Sequence, residues 1–147
     1  MSTVKFDKFA REGNEFINEL SDELGHPEDQ QQVLTALRAV LHSLRDRITI
    51  SESFDVISQL PMMLKALYVE QWKYQEKPNK FDSVEEFKND VKERQKKYGE
   101  DQFDWGISTE DIIVRTIGKL GKYIDKGQMK HIEEQLPKEL KSLITSV

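Results

Sequence analysis

The stretch that decides the fold runs from Gln59 to Leu67 and reads Gln-Leu-Pro-Met-Met-Leu-Lys-Ala-Leu. It returns 76 positions later, from Gln135 to Leu143, as Gln-Leu-Pro-Lys-Glu-Leu-Lys-Ser-Leu. A segment that recurs at a fixed distance within one chain indicates a structural unit that is built twice. The repeat therefore predicts the architecture before any single residue is interpreted.

Two further echoes extend the repeat. The same offset pairs Leu44 with Leu120. Upstream, Glu-Phe-Ile-Asn-Glu-Leu from Glu15 is similar to Glu-Phe-Lys-Asn-Asp-Val from Glu86, at an offset of 71. An insertion near residues 100–105 accounts for the difference between the two offsets. We therefore predict two tandem units, residues 1–75 and 76–147, which pack together as one globular domain.

Hydrophobic spacing predicts that both units are helical. Apolar residues recur at intervals of three, four or seven, and we find no alternation with the period of a strand. Ser51, Ser83 and Ser108 are predicted to cap helices, and Gly127 is predicted to mark a turn. The sequence thus predicts an all-α fold with about four helices per unit, in which residues 31–69 superpose on residues 107–145. The centre of the predicted core is Leu37, Leu41, Leu44, Ile113, Ile117 and Leu120.

The repeated element carries a resemblance to a known family. A long apolar helix, a short helix, Gln-Leu-Pro and a final short helix resemble the bacterial domain of unknown function 2267. In this chain the motifs are Gln59-Leu60-Pro61 and Gln135-Leu136-Pro137, and the resemblance covers nearly the whole sequence. The resemblance implies two tandem helical units. The family has no established catalytic or binding residues, so none is transferred to this chain. This chain departs from the pattern at Gly118 and Gly121, where we expect another helix to approach closely.

Composition excludes several classes of protein. The chain has 147 residues, no cysteine and a net charge of −5, so disulfide scaffolds, thiolate nucleophiles and cysteine zinc sites are excluded. Neither half is strongly basic, which argues against a nucleic-acid binder. No apolar run reaches the roughly 18 residues of a membrane span, and the first residues show no signal-peptide pattern. We therefore expect a cytoplasmic protein without a membrane partner.

The three histidines do not form a catalytic or metal-binding pattern. His26 has one glutamate at helical spacing, whereas di-iron bundles need two such motifs and two further glutamates. His42 has Asp46 one turn away, which we interpret as a surface helix pair rather than a general base with its orienting carboxylate. His131 lacks a third ligand. No phosphate-binding loop or nucleophile motif is present either. We predict no catalytic, metal-binding or cofactor-binding residues and leave enzymatic activity open.

Aromatic residues near the end of each unit are candidates for partner binding. Trp72 and Tyr74 follow the fourth predicted helix, and Phe103 and Trp105 lie in a predicted loop outside the repeat. Exposed aromatic residues are enriched in binding surfaces, although most aromatic residues belong to cores. Trp105 is thus either a partner-binding anchor or a plug over the junction of the units. Trp105→Ala distinguishes the two, because loss of a plug lowers the free energy of unfolding by roughly 3–5 kcal/mol.

A candidate basic face follows one predicted helix: Arg115, Lys119, Lys122 and Lys126. Such spacing places four cations on one side of a helix, where they meet either solvent or a phosphate backbone. The net acidity of the chain favours solvent.

Three functions follow from these patterns. The first is a non-enzymatic interaction or scaffold module that binds an unidentified protein or itself. The second is a small-ligand binder or enzyme that uses a cleft between the two units, because sites favour such junctions. The third, weaker hypothesis is contact with nucleic acid through the candidate basic face.

Overall fold

The computed structural model describes residues 4–73, 83–98 and 106–138, and these ranges contain seven α-helices and no strand. The predicted all-α fold is confirmed. The helices are α1 Asp7–Glu23, α2 Gln30–Arg45, α3 Ile50–Gln59, α4 Met62–Val69, α5 Val84–Lys97, α6 Thr109–Leu120 and α7 Lys126–Glu134. The eighth predicted helix lies outside the described residues. No helix in the described part is long and apolar enough to cross a membrane.

Side-chain caps begin most of the shorter helices. Ser83 and Ser108 accept hydrogen bonds from backbone amides in the first turns of α5 and α6, as predicted. The prediction for α3 was wrong by two residues, because the threonine Thr49 caps it rather than Ser51. Gly127 does not mark a turn but lies inside α7, which Asp125 caps. In both cases another residue of good capping chemistry lies within two positions of the predicted one.

The core is built around α2, which packs against α1, α4, α5 and α6. This helix has a wide buried surface, since most of its residues from Val33 onwards are buried. The six residues predicted to form the centre of the core are all at most 1% exposed, so that prediction is confirmed. The core includes residues of both units, which follows from the packing of α5 and α6 against α2.

Burial agrees between positions that the two offsets pair. Leu44 and Leu120 are both 1% exposed, and Phe16 and Phe87 are both fully buried. The caps of α3 and α7 are also 76 positions apart. These matches support two similar units, while their superposition and the boundary at residue 75 stay predictions.

The glutamines of the two Gln-Leu-Pro motifs link the units. Gln59 Oε1 accepts a hydrogen bond from the backbone N–H of Asp125 at 2.6 Å, and Gln135 Nε2 donates to Glu52 Oε2. Each glutamine therefore reaches the start of a short helix in the other half. Arg47 adds a bond from its Nε to the backbone oxygen of Gln135, at 2.5 Å.

The close helix approach that we expected in α6 is not found at Gly121, and at Gly118 it stays a prediction. α6 ends at Leu120, so Gly121 is its C-cap and bears no helix-interior cost. A Cβ on Gly121 would meet only the end of the Met129 side chain and the oxygen of Gly118. On α1, by contrast, a Cβ on Gly13 would lie 2.8 Å from Met63 Cβ. The close contact is thus between α1 and α4, and it requires glycine.

Candidate functional site

Arg45 is a buried cation at the end of the most apolar helix. It is 5% exposed, and its Nη1 donates to the backbone oxygens of Tyr68 and Glu70 at 2.7 and 2.8 Å. Those oxygens lie at the C-terminal end of α4, where helix carbonyls lack partners within the helix and carry partial negative charge. Arg45 therefore fixes the end of α4 against α2.

The rest of the Arg45 guanidinium is less well satisfied. Within the described residues its buried Nε makes no hydrogen bond, but it forms an ion pair with Asp46 Oδ1 at 3.6 Å. The guanidinium carbon lies 5.7 Å from the ring centre of Trp72, in a cation–π arrangement. Burial lowers the pKa of Arg45 from its usual value, and Asp46 opposes that shift. An arginine stays charged under these conditions, so a buried cation remains beside a long ion pair.

Arg94 of α5 brings a second guanidinium to the same place. Its Nη2 donates to Asp46 Oδ2 at 2.5 Å, and its Nε donates to Asp90 Oδ2 at 3.1 Å. Burial alone would lower the pKa of Arg94, but the attraction of Asp90 and Asp46 outweighs it and raises the pKa. Asp46 thus lies between the two arginines, and the charges of α2 and α5 meet across the boundary of the predicted units.

A cleft of about 540 Å³ opens beside these groups. Its lining is mostly polar and comprises Arg45, Asp46, Gln71, Trp72, Lys73, Arg94, Lys97 and Tyr98. Four of these side chains are cationic and one is a carboxylate. Lys73 and Lys97 are exposed, whereas Arg45 is buried beneath them. The volume falls within the range of small-molecule sites. The cleft therefore offers a concave, positively charged surface.

A smaller cavity of about 120 Å³ adjoins the cleft and shares Gln71 and Tyr98 with it. Its other lining residues are Arg38, His42 and Glu70. Arg38 Nε donates to Glu70 Oε1 at 2.8 Å. Gln71 has a φ of 51°, a left-handed conformation that is uncommon outside glycine, asparagine and aspartate. Such strained residues cluster at binding sites, where the surrounding structure holds them.

His42 is a buried residue of this cavity, which corrects its interpretation as part of a surface pair with Asp46. It is 1% exposed, and its Nε2 lies 2.6 Å from the backbone oxygen of Leu67. Because a carbonyl only accepts, Nε2 carries the proton and Nδ1 accepts from the Tyr98 hydroxyl at 2.7 Å. Burial lowers the pKa of His42 to about 4, so the ring is neutral near pH 7.

The predicted aromatic candidates have different outcomes. Trp72 lines the cleft and packs edge-on against Tyr68, so it is partly buried rather than a free anchor. Tyr74, Phe103 and Trp105 lie outside the described residues. The alternatives of anchor and plug for Trp105 therefore stay predictions.

The candidate basic face is not one stripe on one helix, and that expectation was wrong. α6 ends at Leu120, so Lys122 lies in the following turn and Lys126 begins α7. Arg115 donates from Nη1 to the backbone oxygen of Glu23 at 2.8 Å. Lys122 pairs with Glu19 at 3.0 Å, which raises the pKa of Lys122. Two of the four cations thus serve contacts with α1, which reduces the charge available to a partner.

Sequence reasoning missed Arg45, Arg94 and Lys97 as site residues. The available signal was a charged residue at a position of α2 that the apolar pattern assigns to the core, since arginine is rarely buried without partners. Arg94 was hidden in a run of charged residues on α5, where nothing in the spacing singles it out. Its role depends on the packing of α5 against α2.

Other surface features carry less information. A groove of about 360 Å³ between α1, α2 and α4 is lined largely by apolar side chains, and nothing in the structure shows what covers it. His26 pairs with the exposed Glu28 at 3.2 Å. Within the described ranges, no group of three or more acidic or histidine residues is placed to hold a metal ion.

Comparison with known proteins gives a family and no function. No curated protein matches the chain. The sequence does match a family described as an uncharacterised conserved protein, DUF2267, over residues 13–143. That match spans both Gln-Leu-Pro motifs, both glutamines that link the units, and every described residue of the cleft. The chain therefore belongs to the DUF2267 family.

Proposed function

We propose that this protein binds a small anionic ligand in the cleft beside Arg45. The observation that carries the proposal is a buried guanidinium that lines a cleft of about 540 Å³ and whose ion pair with Asp46 is as long as 3.6 Å. A buried cation is stabilised by a negative charge nearby, and an anion in the cleft supplies one.

The charge of the cleft supports an anion rather than a neutral ligand. Arg45, Arg94, Lys73 and Lys97 line it, against the single lining carboxylate of Asp46. The walls of a cleft are less polarisable than water, so charges of one sign along them reinforce each other and attract the opposite sign. Arginine forks suit ligands that present two or more oxygens.

The position of the cleft also supports a binding site. It lies where α2 and the end of α4, from the first predicted unit, meet α5 from the second. Ligands are commonly bound at such junctions. The small-ligand hypothesis from the sequence is therefore the one that the geometry favours. The alternative hypothesis of a protein-interaction module is tested by Trp105→Ala, at a position outside the described residues.

The test is calorimetric titration of the full chain with inorganic phosphate and with sulfate at low ionic strength. Saturable binding to the wild type is expected. Lys97→Gln removes one exposed cation of the cleft and should weaken binding about tenfold, the equivalent of one charge-assisted hydrogen bond. Arg94→Gln should weaken it at least as much, with thermal denaturation to check that the variant folds.

A matched control is Lys92→Gln, which removes the same charge from an exposed position of the same helix outside the cleft. It should leave binding nearly unchanged. Lys119→Gln removes one charge from the candidate basic face and should also leave binding nearly unchanged. Absence of saturable binding by the wild type, or equal losses in Lys92→Gln and Lys97→Gln, would overturn the proposal.

A further inference from the structure

We infer that the ligand of the cleft is a phosphorylated polyol or sugar, with its phosphate among the cations of the cleft and its hydroxyl groups in the adjoining cavity. This inference rests on the proposed function and names the ligand class. It is carried by the juxtaposition of two cavities with different lining: a cationic one, and a smaller polar one that shares Gln71 and Tyr98 with it.

The balance of charge favours a dianion. The cleft has four cations, and Asp46 is the carboxylate in its lining. Asp90 neutralises part of Arg94 from outside the cleft, through the 3.1 Å contact with its Nε. Two positive charges are left over after both carboxylates are counted. A phosphate monoester carries about −1.5 to −2 charges near pH 7, whereas a carboxylate carries one. A phosphate monoester therefore matches the excess.

The donors of the cleft point to the same headgroup. Two guanidinium groups contact different oxygens of Asp46, and both remain charged. A phosphate has three terminal oxygens, so it can accept from the Arg45 guanidinium and from a neighbouring cation at once. A single planar carboxylate has fewer acceptor directions for donors that come from different helices.

The smaller cavity is suited to hydroxyl groups rather than to an apolar tail. Each of its five lining residues is polar, namely Arg38, His42, Glu70, Gln71 and Tyr98. Arg38 holds the carboxylate of Glu70 through one oxygen, at 2.8 Å, and an ionised carboxylate can accept further bonds. Glu70 and Gln71 can accept from or donate to a hydroxyl, and the neutral His42 holds the Tyr98 hydroxyl in place. An apolar group there would bury polar atoms without partners.

The two cavities lie side by side, since Gln71 and Tyr98 line both of them. Their combined size suits a ligand with a single phosphate and a few hydroxylated carbons. Gln71 lies between the two compartments, and its left-handed backbone turns the chain from α4 into the rim of the cleft. The residue that would contact both parts of the ligand is thus the strained one.

The inference is tested by titrating the full chain with four probes: inorganic phosphate, glucose 6-phosphate, glucose and phenyl phosphate. Glucose 6-phosphate should bind about tenfold more tightly than inorganic phosphate or phenyl phosphate, because it adds hydroxyl contacts. Glucose alone should show no measurable binding. Equal affinities for glucose 6-phosphate and phenyl phosphate would overturn the polyol assignment.

Two variants separate this inference from the proposed function. Gln71→Asn shortens the side chain but suits a left-handed backbone, and Glu70→Gln removes the carboxylate. Each variant should weaken the binding of glucose 6-phosphate about fivefold or more, while the affinity for inorganic phosphate should change by less than about twofold. If neither variant alters the preference for glucose 6-phosphate over inorganic phosphate, the sugar assignment fails while the proposal of anion binding stands. If the wild type binds none of the phosphates, both fail.

Discussion

α2 and α6 occupy matching places in the predicted repeat but differ in one respect. Their apolar positions agree, since Leu44 and Leu120 are equally buried. Their polar positions do not: 76 residues after His42 and Arg45 stand Gly118 and Gly121. The first helix thus carries a buried polar cluster that the second lacks. The apolar pattern that the copies share forms the core, and the residues that differ line the cleft.

The largest expected effect tests the shared part of this comparison. Leu44→Ala and Leu120→Ala should each lower the free energy of unfolding by about 2–5 kcal/mol, because each leaves a cavity in the core. Urea denaturation should show similar losses and a single transition for both variants. Val69→Ala, at a position 43% exposed, is the control. A loss confined to one of the two leucine variants would show that the helices do not share one core.

The next effect concerns the part of α2 that α6 lacks. His42 has a pKa of about 4 in the folded state and a usual value of 6.5, so only the unfolded state takes up its proton between these values. Stability should therefore fall as pH drops from 6.5 towards 4, by about 3 kcal/mol from this residue. Arg45 and Arg94 disfavour the protonated ring, while Glu70 favours it.

His42→Gln is the comparison variant for this effect. Urea denaturation at several pH values should give a shallower loss of stability for the variant between pH 6.5 and 4 than for the wild type. The difference in slope isolates the histidine from the carboxylates, which titrate in both proteins. Identical slopes would mean that the buried ring is not held neutral.

A smaller effect tests the close approach in the first unit. Gly13→Ala places a Cβ 2.8 Å from Met63 Cβ, which cannot swing away as a side-chain tip can. We expect a loss of about 1–3 kcal/mol in the free energy of unfolding, by chemical denaturation. Gly127→Ala in α7 meets nothing nearer than Asp125 Oδ1 at 3.4 Å. It should stabilise by up to about 1 kcal/mol, since alanine favours a helix. If both substitutions changed the free energy of unfolding in the same direction, the contrast between Gly13 and Gly127 would be refuted.

The smallest effect tests the links between the units. Gln59→Met and Gln135→Met remove the side-chain bonds to Asp125 and Glu52 at little change in volume. Each should lower the free energy of unfolding by about 1 kcal/mol, with similar values for the two. Gln31→Met, at an exposed position of α2, is the control and should change little. If only one of the two glutamine variants loses stability, the two links do not contribute equally.

The sequence predicted the elements whose causes are local. Capping by Ser83 and Ser108 depends on residues three positions apart, and the core follows from helical spacing. It misplaced the cap of α3 because Thr49 and Ser51 have similar capping chemistry, so the local sequence does not distinguish them. The candidate basic face failed for a related reason, since spacing alone does not reveal that α6 ends at Leu120.

The site was harder to predict because its contacts are not local. Arg45 bonds to carbonyls that become available only where α4 ends against α2. Arg94 lies 48 positions from Asp46 in the chain, and the two meet only once α5 packs on α2. A pattern within one helix cannot show either contact. The one local sign was an arginine on the apolar face of a helix.

The paired glutamine links also bear on how the two halves of the chain stay together. Gln59 reaches the start of α7, and Gln135 reaches the start of α3. The two contacts differ in direction, because Gln59 accepts from a backbone amide whereas Gln135 donates to a carboxylate. Each half therefore holds the start of a short helix in the other, so fraying of either helix would loosen both halves.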